Sequence, residues 1–181
     1  MTRRDLAAAL LTPQVVAALQ HAHQAAGDPA KARLTYLDPA TAAEVEALAA
    51  QIIPSDGTPG AREAGVIFFI DRALATFDRD RRKAYRDGLA AVQAKRKELY
   101  PGSTSIASLS ESEAVALVRA IEKSEFFELL RAHALMGFLG NPSYGGNRDQ
   151  AGWKVIGFED RHAFRRPFGY YDDPKNGGPE L

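Results

Sequence analysis

Between residues 38 and 141 the chain repeats one grammar: a residue able to cap a helix, apolar side chains three and four apart, then a breaker. That spacing lines apolar groups along one face of an α-helix, whereas a strand alternates its faces every second residue. Asp38-Pro39 opens one such segment, in which Val45, Leu48, Ala49 and Ile52 share a face before Pro54 ends it. Beyond the turn-rich "SDGTPG", Val66, Phe69, Ile70, Ala73, Leu74 and Phe77 form a broad face expected at the centre of the core. Asp78 is the expected cap of the next helix, where Tyr85, Leu89, Val92 and Leu99 make a narrower stripe among basic residues. Ser110 and Glu113 have the spacing of a capping box ahead of Ala114, Leu117, Val118 and Ile121. Ser124 then begins a long helix that stops at Asn141-Pro142. With no strand–helix alternation and no internal repeat, the expected fold is all-α: a bundle of five to six helices with a long irregular C-terminal extension rich in glycine and aromatics.

A chain of 181 residues can bury one real core, and its 45% hydrophobic and 25% charged content is that of an ordinary globular domain. The expected organisation is an N-terminal helix and linker over residues 1–36, a helical domain over 37–172 and a flexible tail over 173–181. Twenty-three basic residues balance 23 acidic ones, so no overall field draws the chain to nucleic acid. The absence of cysteine rules out disulfides, thiolate-held iron–sulfur clusters, CxxCH haem attachment and a thiol nucleophile.

Two readings compete at the N-terminus. Thr2-Arg3-Arg4-Asp5-Leu6 has the look of a twin-arginine export signal, followed by uncharged residues 6–19. Alternatively, Thr12-Pro13 starts a structural helix with Val15, Val16 and Leu19 on one face. The segment is too short and too polar to span a membrane.

Little in the helices points to catalysis. His21 and His23 are two apart and cannot share an ion as an i,i+4 pair would, and Glu125, Glu128 and His133 lack the spacing of a di-iron bundle. They read as surface carboxylates and a half-buried histidine, with no metal site. Neither a P-loop nor a dinucleotide fingerprint is present, and Gly137 to Gly140 reads as a helix end. The basic runs at residues 79–83 and 95–97 read as solvated faces, with Asp78 and Arg82 able to pair. No catalytic residue is assigned.

The one concentrated oddity is "NPSYGGNRDQAGWKVIGF", residues 141–158. Tyr144, Trp153, Phe158, Phe164, Phe168, Tyr170 and Tyr171 are types that anchor interfaces, and Arg148, Arg165 and Arg166 accompany them. Gly145 and Gly146 permit positive φ or close backbone approach, and Asn147 can bond the turn internally. Such a segment either wraps the bundle and fills its core or presents aromatics to another protein. Tyr144, Gly145, Gly146, Asn147, Arg148, Asp149, Trp153, Phe168 and Tyr170 are the candidate partner-binding residues.

At these residues, and at "ALAAQIIPSDGTPGAREAGVIFFIDRAL" and "PFGYYD", the chain resembles the gluconate 2-dehydrogenase subunit 3 family. The likeness runs over roughly residues 37–172, and its specific part is P-x-Y-G-G-N-R-D followed by G-W-K-x-I-G. It implies a non-catalytic small subunit of a flavoprotein sugar or sugar-acid dehydrogenase. The expected partners are a large subunit of glucose–methanol–choline type, carrying FAD, and in many complexes a multihaem cytochrome c subunit. It further implies help with folding, stability and twin-arginine export of the large subunit, and hence a periplasmic or periplasm-facing complex. Here Thr12, Pro13 and Gln14 interrupt the apolar run after the arginines, so the stabilising role is carried over more fully than the export role. A chain that is not exported with a partner stays in the cytoplasm. The contrasting expectation is a stand-alone sugar-acid binder or enzyme that uses the 144–148 turn as its pocket, with Asn147 and Arg148 on the carboxylate.

Overall fold

The computed structural model describes residues 33–161, 163, 169 and 174–176. The N-terminal segment with Arg3 and Arg4 lies outside them, as do His21, His23, His162, Phe164, Arg165, Arg166, Phe168, Tyr170 and Tyr171. The described residues form α-helices and no strand: α1 (Pro39–Ile52), α2 (Val66–Ala75), α3 (Arg82–Leu99), α4 (Glu111–Ile121), α5 (Glu125–Leu139) and the short α6 (Ala151–Ile156). Single 3-10 turns sit at Arg79–Arg81, Pro142–Tyr144, Arg148–Gln150 and Pro174–Asn176. The architecture is all-α, as the periodicity predicts.

Three of the caps form as the sequence spells them. The Asp38 carboxylate accepts from the backbone N–H groups of Ala40 and Thr41, and Ser124 Oγ accepts from the Phe127 N–H. Ser110 and Glu113 close a reciprocal capping box. Each satisfies backbone donors that the first turn of a helix leaves open. The "SDGTPG" turn is closed by Glu63, whose carboxylate accepts from Ser55 Oγ at 2.6 Å and from the Gly60 N–H at 2.8 Å.

Helix α2 is the hub. Val66, Ile67, Phe69, Ile70, Asp71, Ala73 and Leu74 are all buried, so its apolar surface runs almost all round, as a central helix requires. It packs most extensively on α5 and then on α1. Leu48, Ile70, Leu74, Leu117 and Leu130 are fully enclosed, and truncating any of them to alanine costs about 2–5 kcal/mol.

Asp71 is the buried exception within that hub. Its carboxylate accepts from the N–H groups of Leu37 at 2.7 Å, Thr35 at 2.7 Å and Tyr36 at 2.9 Å, and from the Thr35 hydroxyl at 2.8 Å. Burial pushes its pKa up, but the four hydrogen bonds outweigh that and hold it below the usual carboxylate range. The charge therefore fastens the strand of chain entering α1 onto the central helix.

Several expectations are corrected. Asp78 makes no capping bond to the segment after it; a 3-10 turn intervenes, and the Asp78 carboxylate accepts instead from His133 Nε2 at 2.9 Å. Arg82 does not pair with Asp78: its Nε donates to the Leu74 carbonyl at 2.7 Å, and its guanidinium lies 4.2 Å from the centre of the Tyr36 ring. His133 is fully buried rather than half-buried, with its Nδ1 2.8 Å from the Tyr85 hydroxyl. Arg96, within an expected wet run, is buried and ties down the following loop by donating to the Ser103 carbonyl. Phe77 and Leu99, expected on buried faces, are exposed: Phe77 lies beyond the end of α2, and Leu99 is the last residue of α3.

Candidate partner interface

The segment after α5 is not structureless. Asn141 accepts from the Ser143 N–H and starts a 3-10 turn ending at Tyr144; a second 3-10 turn follows at Arg148–Gln150, and α6 then carries Trp153. Helical periodicity could not announce these pieces, because none reaches two full turns. What holds them is contact with α2 and α5.

Gly146 sits directly on the backbone of Gly137, and a β-carbon built at Gly146 would overlap the Gly137 carbonyl. Asn147 is completely buried: its Nδ2 donates to the Gly140 carbonyl at 2.9 Å, and its Oδ1 accepts from the Gly152 N–H at 2.9 Å. Trp153, also buried, donates its indole N–H to the Leu139 carbonyl at 2.6 Å. These side chains serve the C-terminal end of α5, whose last carbonyls have no partner within the helix. Gly145, at φ +107°, lies against the backbone of Phe68.

Tyr144 and Arg148 are turned to other uses. The Tyr144 side chain is 53% exposed and borders an open groove of about 790 Å³ lined by Phe69, Phe77, Leu135, Met136 and Leu139. Phe77, Leu135, Met136 and Leu139 are themselves exposed, so among the described residues the groove is an uncovered apolar surface. Arg148 has its guanidinium 5.1 Å from the centre of the Phe68 ring and its backbone N–H donating to the Ala64 carbonyl at 2.9 Å. Asp149 is exposed, while Phe168 and Tyr170 lie outside the described residues.

Sequence reasoning did not pick out Leu135, Met136 and Leu139, and it placed Phe77 on a buried face. A signal was present in α5: Leu135, Met136 and Leu139 are apolar, yet fall off the face formed by Phe126, Leu130, Ala134, Gly137 and Phe138. A helix apolar beyond its buried face has a second apolar surface to cover.

Comparison with protein families matches residues 39–160 to gluconate 2-dehydrogenase subunit 3. The chain belongs to that family. No curated protein and no solved structure matches it. As a gluconate 2-dehydrogenase subunit 3 protein, it bears a name that implies a multi-subunit complex. Gly137, Gly145 and Gly146 are each packed closely against neighbouring backbone or side chains.

A second cleft, about 560 Å³, lies between α1 and α3 and is lined by Tyr36, Asp38, Glu44, Arg82, Arg86 and Gln93 among others. Its acids are already engaged: Asp38 caps α1, and Glu44 accepts from the Ile106 N–H at 2.7 Å. The side-chain bond from Thr41, first among the causes, holds Asp38 below its ordinary pKa. Among the described residues, no group of three or more histidine, aspartate or glutamate side chains is placed to hold a metal ion, and no helix is long and apolar enough to cross a membrane.

Proposed function

We propose that this chain is the small, non-catalytic subunit of a flavoprotein sugar or sugar-acid dehydrogenase, with FAD held in the larger subunit. The observation that carries the reading is the uncovered groove of Phe77, Leu135, Met136, Leu139 and Tyr144 on a member of a family named for a subunit. Large apolar side chains clustered in a concave surface are what a protein partner covers. The Tyr144 edge of the turn forms one rim of the contact, while Gly146, Asn147 and Trp153 hold that rim in place from within.

On this reading the subunit supports the catalytic chain by covering apolar surface on both partners. Export together with the partner is the portion of the proposed role that rests on Arg3 and Arg4, and a cytochrome c subunit would join through the catalytic chain.

The test is affinity purification of the tagged full chain from its native host, followed by mass spectrometry and a visible absorbance scan. A flavin-containing dehydrogenase recovered in comparable amount, and lost when Met136 and Tyr144 are both replaced by serine, supports the reading. A folded, colourless chain that comes down alone overturns it.

A further inference from the structure

Helices α1 and α3 both pack on α4 and α5, yet they do not pack closely on each other. The cleft of about 560 Å³ lies in the space between them. Among its lining residues Leu37 and Tyr85 are buried and Leu89 is half-buried, while Ala40 on α1 and Ala90 on α3 are exposed. Side chains this small let another helix approach both walls closely. A polar ligand would find the charged groups largely spent. Asp38 caps α1, Glu44 accepts from the Ile106 N–H, and Arg82 donates to the Leu74 carbonyl and stacks on Tyr36.

The chain enters the described fold at this cleft. Tyr36, Leu37 and Asp38 line it, and the Asp71 carboxylate pins the backbone of Thr35, Tyr36 and Leu37 in place. Residues 1–32 precede that point and lie outside the described residues. Within them, residues 6–27 contain no Asp, Glu, Lys or Arg, in a chain whose charged content is 25%. Thr12-Pro13 opens a helical pattern with Val15, Val16 and Leu19 on one face, and Gly27-Asp28-Pro29 ends it. A charge-free, alanine-rich helix with an apolar face has surface to bury.

We propose that residues 13–26 form a helix that docks in the cleft between α1 and α3, with Val15, Val16 and Leu19 turned toward Leu37, Tyr85 and Leu89. The connection from Gly27 to Arg33 can span at most about 20 Å, which holds the end of the helix beside Tyr36. Helices joined by so short a connection pack as neighbours. Tethering also presents the segment at an effective concentration of about a millimolar or more, ahead of any free competitor for the cleft. Being uncharged, the helix brings no ion that the cleft would have to strip of water. Of the two readings of the N-terminus, the structural helix is the one selected, and the docking holds whether or not the chain serves as a subunit.

The test is amide hydrogen exchange on the full chain, for wild type and Ala90→Arg. Ala90 is exposed in the described fold, so arginine there should leave that fold intact while filling the cleft. In wild type, the amides of residues 16–26 should exchange about 100-fold or more slowly than in an unstructured peptide. In Ala90→Arg they should return to the unprotected rate, with α1 to α5 unchanged. Unprotected exchange in wild type overturns the docking, and protection that survives Ala90→Arg overturns the cleft as its place. If Ala90→Arg does not fold, a cysteine pair decides, since the natural chain has no cysteine. Leu19→Cys with Ala90→Cys should close a disulfide under mild oxidation, whereas Leu19→Cys with Ala116→Cys, on the exposed side of α4, should not. Closure with Met136→Cys instead would seat the segment in the apolar groove and overturn the assignment. So would a chain recovered from its host with an intact mass that lacks residues 1–32, the mark of a removed leader.

Discussion

Gly146 lies against Gly137 with no room for a side chain between the two backbones. The contact joins the turn after α5 to the helix it has just left. Alanine at Gly146 must push the turn off α5 and disturb the buried Asn147 bonds beside it. Gly146→Ala is therefore expected to destabilise the isolated chain by about 3 kcal/mol or more, readable as a shifted denaturant midpoint. A midpoint within about 0.5 kcal/mol of wild type would mean that the close approach is not required.

A second buried arrangement joins three helical elements through polar groups. His133 Nε2 lies 2.9 Å from the Asp78 carboxylate, and its other ring nitrogen, Nδ1, lies 2.8 Å from the Tyr85 hydroxyl. Burial, followed by the charge of Asp78, pushes the Tyr85 phenol well above its ordinary pKa, so it stays a donor throughout the accessible pH range. Tyr85→Phe leaves His133 Nδ1 buried without its hydrogen-bond partner. The expected cost is about 1.5 kcal/mol in chemical denaturation, with helix content unchanged by circular dichroism.

How far these features were legible in the sequence depended on their range. Asp38, Ser110 and Ser124 act within four residues of themselves, and their caps form as written. Asp78 also had a cap's sequence position, but its partner is 55 residues away on α5, a pairing that no local pattern encodes. The turn at 144–148 shows the same division. Its glycines and asparagine announced an unusual backbone, whereas the split between inward Asn147 and outward Tyr144 came only with the packing of α5 beneath them. The groove was hidden for a related reason: Phe77 and Leu135 are 58 residues apart and become neighbours only in the fold.

Tyr144 offers the cleanest separation of interface from stability. More than half exposed, with no side-chain hydrogen bond at its hydroxyl among the described residues, it contributes little to the isolated fold. Tyr144→Ala is expected to leave the monomer within about 0.5 kcal/mol of wild type. At the rim of an apolar groove, a tyrosine is a common anchor, so the same change should weaken association with the flavoprotein about 10-fold or more. Loss of stability without loss of association would instead make Tyr144 a structural residue.

Asp71 adds to the acid sensitivity of the fold. Its folded pKa lies below the unfolded value, so its contribution is complete above the unfolded value of about 4 and is lost as pH falls through the folded pKa. Asp71→Asn keeps the size but places an amide N–H₂ against the donors of Leu37, Thr35 and Tyr36, where a second acceptor is needed. The variant should lose about 3 kcal/mol at neutral pH. As the pH is lowered from 5 through the folded pKa, wild type should lose stability while the variant, lacking this carboxylate, loses less, and the two curves converge. Denaturation midpoints taken at intervals across that window provide the check. Parallel curves would show that the three backbone donors are satisfied equally well without the charge, and that the chain entering α1 is fastened by apolar packing at Leu34 and Leu37.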